Sequence, residues 1–300
     1  MPHTTPSPTT LVLLVGEQPA PNLLPTRHIQ PESVALVYTD HTQRVARNLQ
    51  AILSPQCECH LCQVDAYHLE SIEADLTRLL CAQKTLSSAT FNLTGGTKPM
   101  SLAAFQVAQA ARRPFVYFQS QGNVSKLLQY TFDDAGRIVV REPVDLPTSM
   151  SLDDYLRLYL REYTTGDPRD PLEVAVVDTL RATPGVDEVF TSLRPEGMPA
   201  LEIDFILRCG NQVAIGEVKS SGGKKAIDQL NGVAQQRYLG AYIRKFLVSG
   251  KPVDSNNHEL AKAYRTQIIE LPSYGDTRAL SPADRALLAE RVQKHMGVRT

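Results

Sequence analysis

The chain of 300 residues has no tryptophan, only five cysteines, a formal net charge of −1 and no apolar run long enough to cross a bilayer. Each scarcity excludes something. Near-neutral charge excludes a broadly basic nucleic-acid binder, although a local basic patch would still contact phosphates. The one apolar run near the start, Leu11 to Val15, is too short for a membrane span or the core of a secretory signal. The expectation is therefore a cytoplasmic protein with no membrane partner. An odd number of cysteines in such a chain argues for free thiols. Cys57, Cys59 and Cys62 surround His60 and invite a zinc site, but the second CxxC knuckle is missing and Cys57–Val64 alternates as a strand does. What remains is 42% hydrophobic and 21% charged, the composition of a globular chain, and the length allows two domains with ordinary cores.

In the first half, after a loose tail expected over Met1 to Thr10, five stretches read as buried strands. They are Leu11–Val15, Ser33–Tyr38, Cys57–Val64, Ala89–Leu93 and Phe115–Phe118. Helices are expected from about Gln43 to Leu53, Ser71 to Leu80, and Pro99 to Ala111. Strands alternating with helices imply a doubly wound α/β sheet, whose ligands bind at the carboxyl ends of the strands. The segments at those ends are Gly16–Asn22, which includes Gln18 and Asn22, then Thr39–Thr42, Thr94–Lys98 and Gln119–Asn123. The most informative is Thr94-Gly95-Gly96-Thr97-Lys98-Pro99-Met100. Adjacent glycines let backbone N–H groups turn toward an anion, and the following helix adds its positive end. The spacing is neither that of a P-loop nor GxGxxG, and a glycine-rich turn without a ligand is the plain structural alternative. Asp133–Gly136 reads as a hairpin turn. Pro143–Met150 reads as a linker, and the helix opening at Ser151 places Tyr155, Leu158, Tyr159 and Tyr163 on one face as a bridge between domains. The boundaries are then 1–145, 146–170 and 171–300.

In the second half, Leu201–Ser220 reads as two strands joined at Gly210-Asn211. A two-residue turn there sets Asp204 opposite Glu217, and alternation puts Lys219 on the face of Glu217. Two opposed carboxylates and a lysine suit metal-assisted hydrolysis. A surface hairpin with mixed charges is the alternative, and a three-residue loop would spoil the register. A helix from Leu172 to Leu180 carries Glu173 in its first turn, where the helix dipole alone would favour an acid. After Lys219 a basic turn with Lys224 and Lys225 leads into a helix bearing Gln229 and Tyr238.

These residues carry two resemblances. Glu173 on a helix, then Asp204, then Glu217-Val218-Lys219, then Gln229 on a helix, resembles the restriction-endonuclease-like PD-(D/E)xK nucleases. Gly16–Asn22 and Asn92–Met100 resemble CARF domains, the sensor modules of CRISPR-associated ancillary proteins. Together they look like the CARF-fused nucleases of type III CRISPR defence. The resemblance implies a Rossmann-like CARF domain followed by a PD-(D/E)xK α/β domain, in a homodimer activated by cyclic tetra-adenylate. It implies cleavage of DNA or RNA, single-stranded or duplex, with Mn²⁺ or Mg²⁺. Carried over, Asp204, Glu217 and the Val218 carbonyl would hold the metal, Lys219 would position the attacking water, and Glu173 would support the metal or its waters. Lys224, Lys225 and Gln229 would hold substrate phosphates. Gln18, Asn22, Thr39, Thr94, Gly95, Gly96, Thr97, Lys98 and Met100 would meet the cyclic nucleotide. Relatives often carry an aromatic residue beside the helix glutamate, and this chain has no Trp. A CARF sensor with a degenerate nuclease half, or a constitutive repair nuclease, are the other readings.

Overall fold

The computed structural model describes residues 10–121, 124–196, 201–221, 223–234, 239–240, 243–274 and 279–298. It divides into two compact units, Met1–Met150 and Ser151–Thr300. The tail before Thr10, two residues of the Gln119–Asn123 segment, Gly222 and Tyr238 lie outside the described residues. No helix among those described is long and apolar enough to cross a membrane.

The first unit is built on one eight-stranded sheet. Strands β1 (Thr10–Leu14), β2 (Ser33–Tyr38), β3 (Glu58–Gln63), β4 (Ala89–Asn92) and β5 (Phe115–Gln121) pair in parallel, in the order β3-β2-β1-β4-β5. Strands β6 (Val124–Phe132), β7 (Ile138–Val140) and β8 (Val144–Leu146) add antiparallel. Fully buried β1 and β2 are continuous apolar runs because helices cover both faces of such a sheet. Helix α2 (Gln43–Leu53) follows β2, α3 (Leu69–Ala82) follows β3, and α4 (Lys98–Ala110) follows β4. Ile72, Leu76 and Leu80 of α3 and Met100, Ala104 and Val107 of α4 pack on Val12, Val37 and Phe91. Each such buried Leu, Ile or Phe contributes about 1.5–3 kcal/mol. Cys57, Cys59 and Cys62 are free, and Cys59 and Cys62 lie on the β3 strand. Burial pushes the Cys59 thiol up to about 12 and the Cys62 thiol up to about 11.

Three expectations need correction. Residues 20–29 form a helix, α1 (Ala20–Ile29), rather than a loop ending at Asn22. Its prolines disguise it: Pro25 lacks the N–H that would close onto the Pro21 carbonyl, and that carbonyl accepts instead from Asn92 Nδ2 at 2.8 Å. The segment Gln119–Asn123 is strand as far as Gln121, which pairs with Val124. The expected linker Pro143–Met150 contains β8, whose Val144–Leu146 pair with Leu127–Ser125.

The second unit has a six-stranded sheet in the order β14-β13-β12-β11-β10-β9. Strands β10 (Glu188–Pro195), β11 (Ile203–Cys209) and β12 (Gln212–Lys219) form an antiparallel meander. Helix α7 (Lys224–Val233) then crosses over to β13 (Arg244–Ser249), parallel to β12, and α8 (Ser255–Ala263) crosses to β14 (Thr266–Glu270), parallel to β13. Strand β14 is one that the sequence reading does not contain. Helices α6 (Pro171–Arg181) and α9 (Pro282–Met296) pack Leu172, Val176, Leu180, Leu288 and Val292 onto Phe205, Val218 and Phe246. Helix α5 (Leu152–Leu160) belongs to this unit. Its capping box at Ser151 and Asp154 starts it, and the buried Tyr155 hydroxyl donates to the Leu239 carbonyl. It ends at Leu160, so Tyr163 lies not on its face but in the two-residue strand β9 (Tyr163–Thr164).

Candidate active site and sensor loops

The hairpin register is the one expected. Phe205 pairs with Gly216 and Cys209 with Gln212 across a turn in which Gly210 takes φ 59°. Continued by one residue, that pairing sets Asp204 against Glu217. Close approach requires Gly216, since a Cβ there would lie 2.0 Å from the Phe205 ring. Phe205 is fully buried, so the ring and the glycine together hold the two strands where the acids face each other.

Lys219 Nζ bridges the acids, 3.0 Å from Asp204 Oδ2 and 2.8 Å from Glu217 Oε2. Asp204 Oδ2 also accepts the Val218 N–H at 2.7 Å. Glu217 is 1% exposed. Gln229 on α7 donates from one amide nitrogen to Glu217 Oε1 at 2.7 Å and to the Glu202 carbonyl at 2.6 Å. Burial, then the Asp204 charge, push the Glu217 carboxyl up to about 8 against the opposing pull of Lys219. Burial works against the Lys219 ammonium, but the two carboxylates outweigh it and hold its pKa above the usual lysine range. Glu173, in the first turn of α6 behind the Asp170 cap, is raised by burial and then by the Asp204 charge. It therefore senses the site electrostatically. Lys224 and Lys225 are exposed at the start of α7, whereas the side chain of Gln229 is committed to Glu217.

Among the described residues no group of three or more His, Cys, Asp or Glu side chains is placed to hold a metal ion. Two carboxylates nonetheless converge on one cation, the Lys219 ammonium. The donor set fits Mg²⁺ or Mn²⁺, which take hard oxygens and are often held by one or two carboxylates with substrate phosphates completing the shell.

In the first unit, β1 and β4 are neighbours whose connections leave in opposite senses, which makes the gap between them the topological switch point. The loops there are knitted by side chains. Asn22, fully buried, donates to the Leu14 carbonyl at 3.0 Å. Asn92 Oδ1 accepts from Thr94 N at 3.2 Å and Thr94 Oγ1 at 2.6 Å, and Thr94 Oγ1 accepts the Phe118 N–H at 2.7 Å. Thr97 Oγ1 donates to Ala66 O at 2.6 Å and accepts the Met100 N–H, capping α4. Thr39 and Thr42 form their own capping box. His41 and Glu17 pair across the ends of β2 and β1. Backbone packs on backbone here: a Cβ on Gly95 would lie 2.0 Å from the Leu14 carbonyl oxygen. Asn22, Thr39, Thr94, Thr97 and Met100 thus shape the loops, while Gly96 and Lys98 are exposed at the N-terminus of α4. Asn92 is the residue that sequence reasoning left out of the site. The signal for it was its place between strand and glycine turn, where an amide fastens loops.

Residues 10–155 match the Card1 CARF domain family. No curated protein matches the sequence. Among solved structures, Can2 from Sulfobacillus thermosulfidooxidans, in complex with cyclic tetra-adenylate, is similar with a TM-score of 0.74 at 15% identity, over 97% of each chain. Protein VC1899 from Vibrio cholerae is similar with a TM-score of 0.76 at 12% identity, over 97% of this chain and 99% of that one. A type III CRISPR defence DNA nuclease activated by cyclic oligoadenylate has a TM-score of 0.57 at 14% identity, over 97% of this chain but 52% of its own. At these identities the likeness is one of fold. The first unit has the CARF fold and matches the Card1 CARF domain, and the likeness of fold to Can2 extends over both units.

Proposed function

We propose that the protein is a cyclic tetra-adenylate-activated, divalent-metal-dependent nuclease of type III CRISPR defence, acting as a homodimer on DNA, RNA or both. The observation that carries the reading is that a chain with a CARF fold also brings Asp204, Glu217 and Lys219 onto one strand pair. The order helix, three-stranded meander, helix, parallel strand supports a PD-(D/E)xK domain as the second unit. Can2 was solved with cyclic tetra-adenylate, which supports that nucleotide as the ligand of the first unit.

In this reading Asp204, Glu217 and the Val218 carbonyl would hold Mn²⁺ or Mg²⁺, which would supply charge neutralisation at the scissile phosphate. Lys219 positions the attacking oxygen and offsets the charge that grows on the phosphoryl oxygens. Gln229 keeps Glu217 aimed at the site through a hydrogen bond of 2.7 Å. Glu173, which feels the Asp204 charge, would support the metal or its waters. In the sensor half, backbone N–H groups at Gly95–Gly96, the positive end of α4 and the Lys98 ammonium receive the nucleotide phosphates, and Gln18, in the segment after β1, is a further contact. Binding shifts the population toward the cutting state only as far as the nucleotide prefers that state. The test is cleavage of labelled single- and double-stranded DNA and RNA, with and without cyclic tetra-adenylate and Mn²⁺. Equal rates without the nucleotide would sink the gating claim, and full activity in Glu217→Ala would sink the site.

A further inference from the structure

A groove of about 240 Å³ opens beside the acid pair, lined by Gly166, Asp167, Arg169, Ser192, Arg194 and Glu202. We propose that it receives the sugar-phosphate backbone of a nucleic-acid strand, with Arg169 and Arg194 positioning the phosphates next to the one being cut. The inference rests on the reading of Asp204, Glu217 and Lys219 as a nuclease site.

Strand register and hydrogen bonds place the groove against that site. Thr191 pairs with Phe205 and Leu193 with Ile203, so Ser192 falls opposite Asp204. Ser192 takes φ 48°, a left-handed conformation costly for a residue with a Cβ, and such strain persists where the surrounding structure enforces it, often beside functional groups. The wall formed by residues 166–169 is fastened to β10 by Gly166 N–H to Thr191 O at 3.0 Å and by Thr191 Oγ1 to Gly166 O at 2.6 Å. That wall runs directly into Asp170, the cap of the helix that carries Glu173. Glu202, on the opposite side, shares with Glu217 the single Gln229 amide nitrogen. A strand lying in the groove would therefore run alongside Asp204, the cross-strand neighbour of Ser192.

The chemistry fits a phosphodiester. Guanidinium forks match two phosphate oxygens at once. Arg194 is held by Glu202 at 2.6 Å, but both side chains are nearly half exposed, at 45% and 42%. Such a pair is weak in water and exchanges readily for a phosphate. Glu202 then acts against the ligand, as a carboxylate competing for Arg194 and repelling the phosphate. Arg194 and Glu202 thus have opposite expected effects on binding.

The test is fluorescence anisotropy of labelled oligonucleotides with the full chain, in EDTA and with cyclic tetra-adenylate present. Arg169→Gln and Arg194→Gln should each weaken binding about fivefold at about 0.1 M salt, whatever the base sequence. Each should also flatten the slope of log affinity against log salt by about 0.7–0.9. Glu202→Gln should tighten binding. Loss of affinity in Glu202→Gln and Arg194→Gln alike would mean a merely structural pair and overturn the proposal, as would unchanged affinity and slope in both arginine variants. Arg169 is in an exposed loop, so Arg169→Gln decides the matter even where Arg194→Gln folds badly. No oligonucleotide binding by the wild type overturns the groove outright. Full cleavage by Glu217→Ala, with these binding effects intact, overturns the catalytic reading and leaves the groove standing.

Discussion

Replacing Glu217 with Gln tests, through stability alone, whether burial and the Asp204 charge govern this carboxylate. The folded protein holds the Glu217 carboxyl near 8, against an ordinary value of 4.5. Over that window the folded state keeps a proton that the unfolded chain has released. Stability therefore falls as pH rises, by at most about 1.4 kcal/mol per pH unit, with a ceiling on the order of 5 kcal/mol across the window. Below about 4.5 both states are protonated and nothing is lost. Lys219 does not blur the window, because its raised pKa gives a contribution that is complete up to about 10.5 and lost only above it. Glu173 shifts in the same direction as Glu217, but it is present in both proteins and cancels. The assay is the urea midpoint of the full chain in EDTA from pH 5 to 9, wild type beside Glu217→Gln. The wild type should lose stability more steeply, and the gap should stop widening above about pH 8. Adding Mn²⁺ should flatten the wild-type curve and leave the variant's unchanged. Parallel curves in EDTA would refute the claim that burial and Asp204 govern this carboxylate.

Three further outcomes follow from contacts already described. Gly216→Ala should destabilise the second unit by about 1–3 kcal/mol, because its Cβ would meet the Phe205 ring at 2.0 Å. Adding Phe205→Leu should recover part of that loss in urea unfolding, and strict additivity of the two changes would count against the contact. Asn92→Ala should lower the Tm of the first unit, since it strips partners from the Pro21 carbonyl and from Thr94, at about 1–3 kcal/mol for each buried group left unpaired. Lys219→Met should cut cleavage by about 10²–10³ without lowering Mn²⁺ affinity measured by equilibrium dialysis, because it removes a competing cation from both carboxylates.

The parts of the fold that could be read in advance are those with strong local signals. Strands β1 and β2 are unbroken apolar runs, which only a covered parallel sheet demands. The Ser151 cap and the Gly210 turn are short-range chemistry, and each sits where that chemistry puts it. Helix α1 was illegible because Pro25 forbids its hydrogen bond locally. Asn92, 71 residues from Pro21 along the chain, supplies the replacement donor. Strand β14, Thr266–Glu270, has only five residues with no clean alternation, and its pairing to β13 is long-range. Strand β8 was hidden by its flanking prolines, although an antiparallel edge tolerates such neighbours.

The candidate site divides along the same line. Asp204 and Glu217 could be paired on paper because a hairpin converts sequence separation into register, and the turn chemistry fixes the sum of paired positions. How deeply Glu217 is buried could not be read, because it depends on α7 folding back to set Gln229 over the carboxylate. The groove arginines were still further from view. Arg169 and Arg194 belong to different elements, carry no motif, and meet only because β10 brings Ser192 opposite Asp204. Catalytic acids on adjacent strands leave a local pattern. Groups that position an extended substrate are spread along its path, and the sheet alone gathers them. A search for motifs should therefore find the cutting residues of such a site and miss the residues that hold the strand.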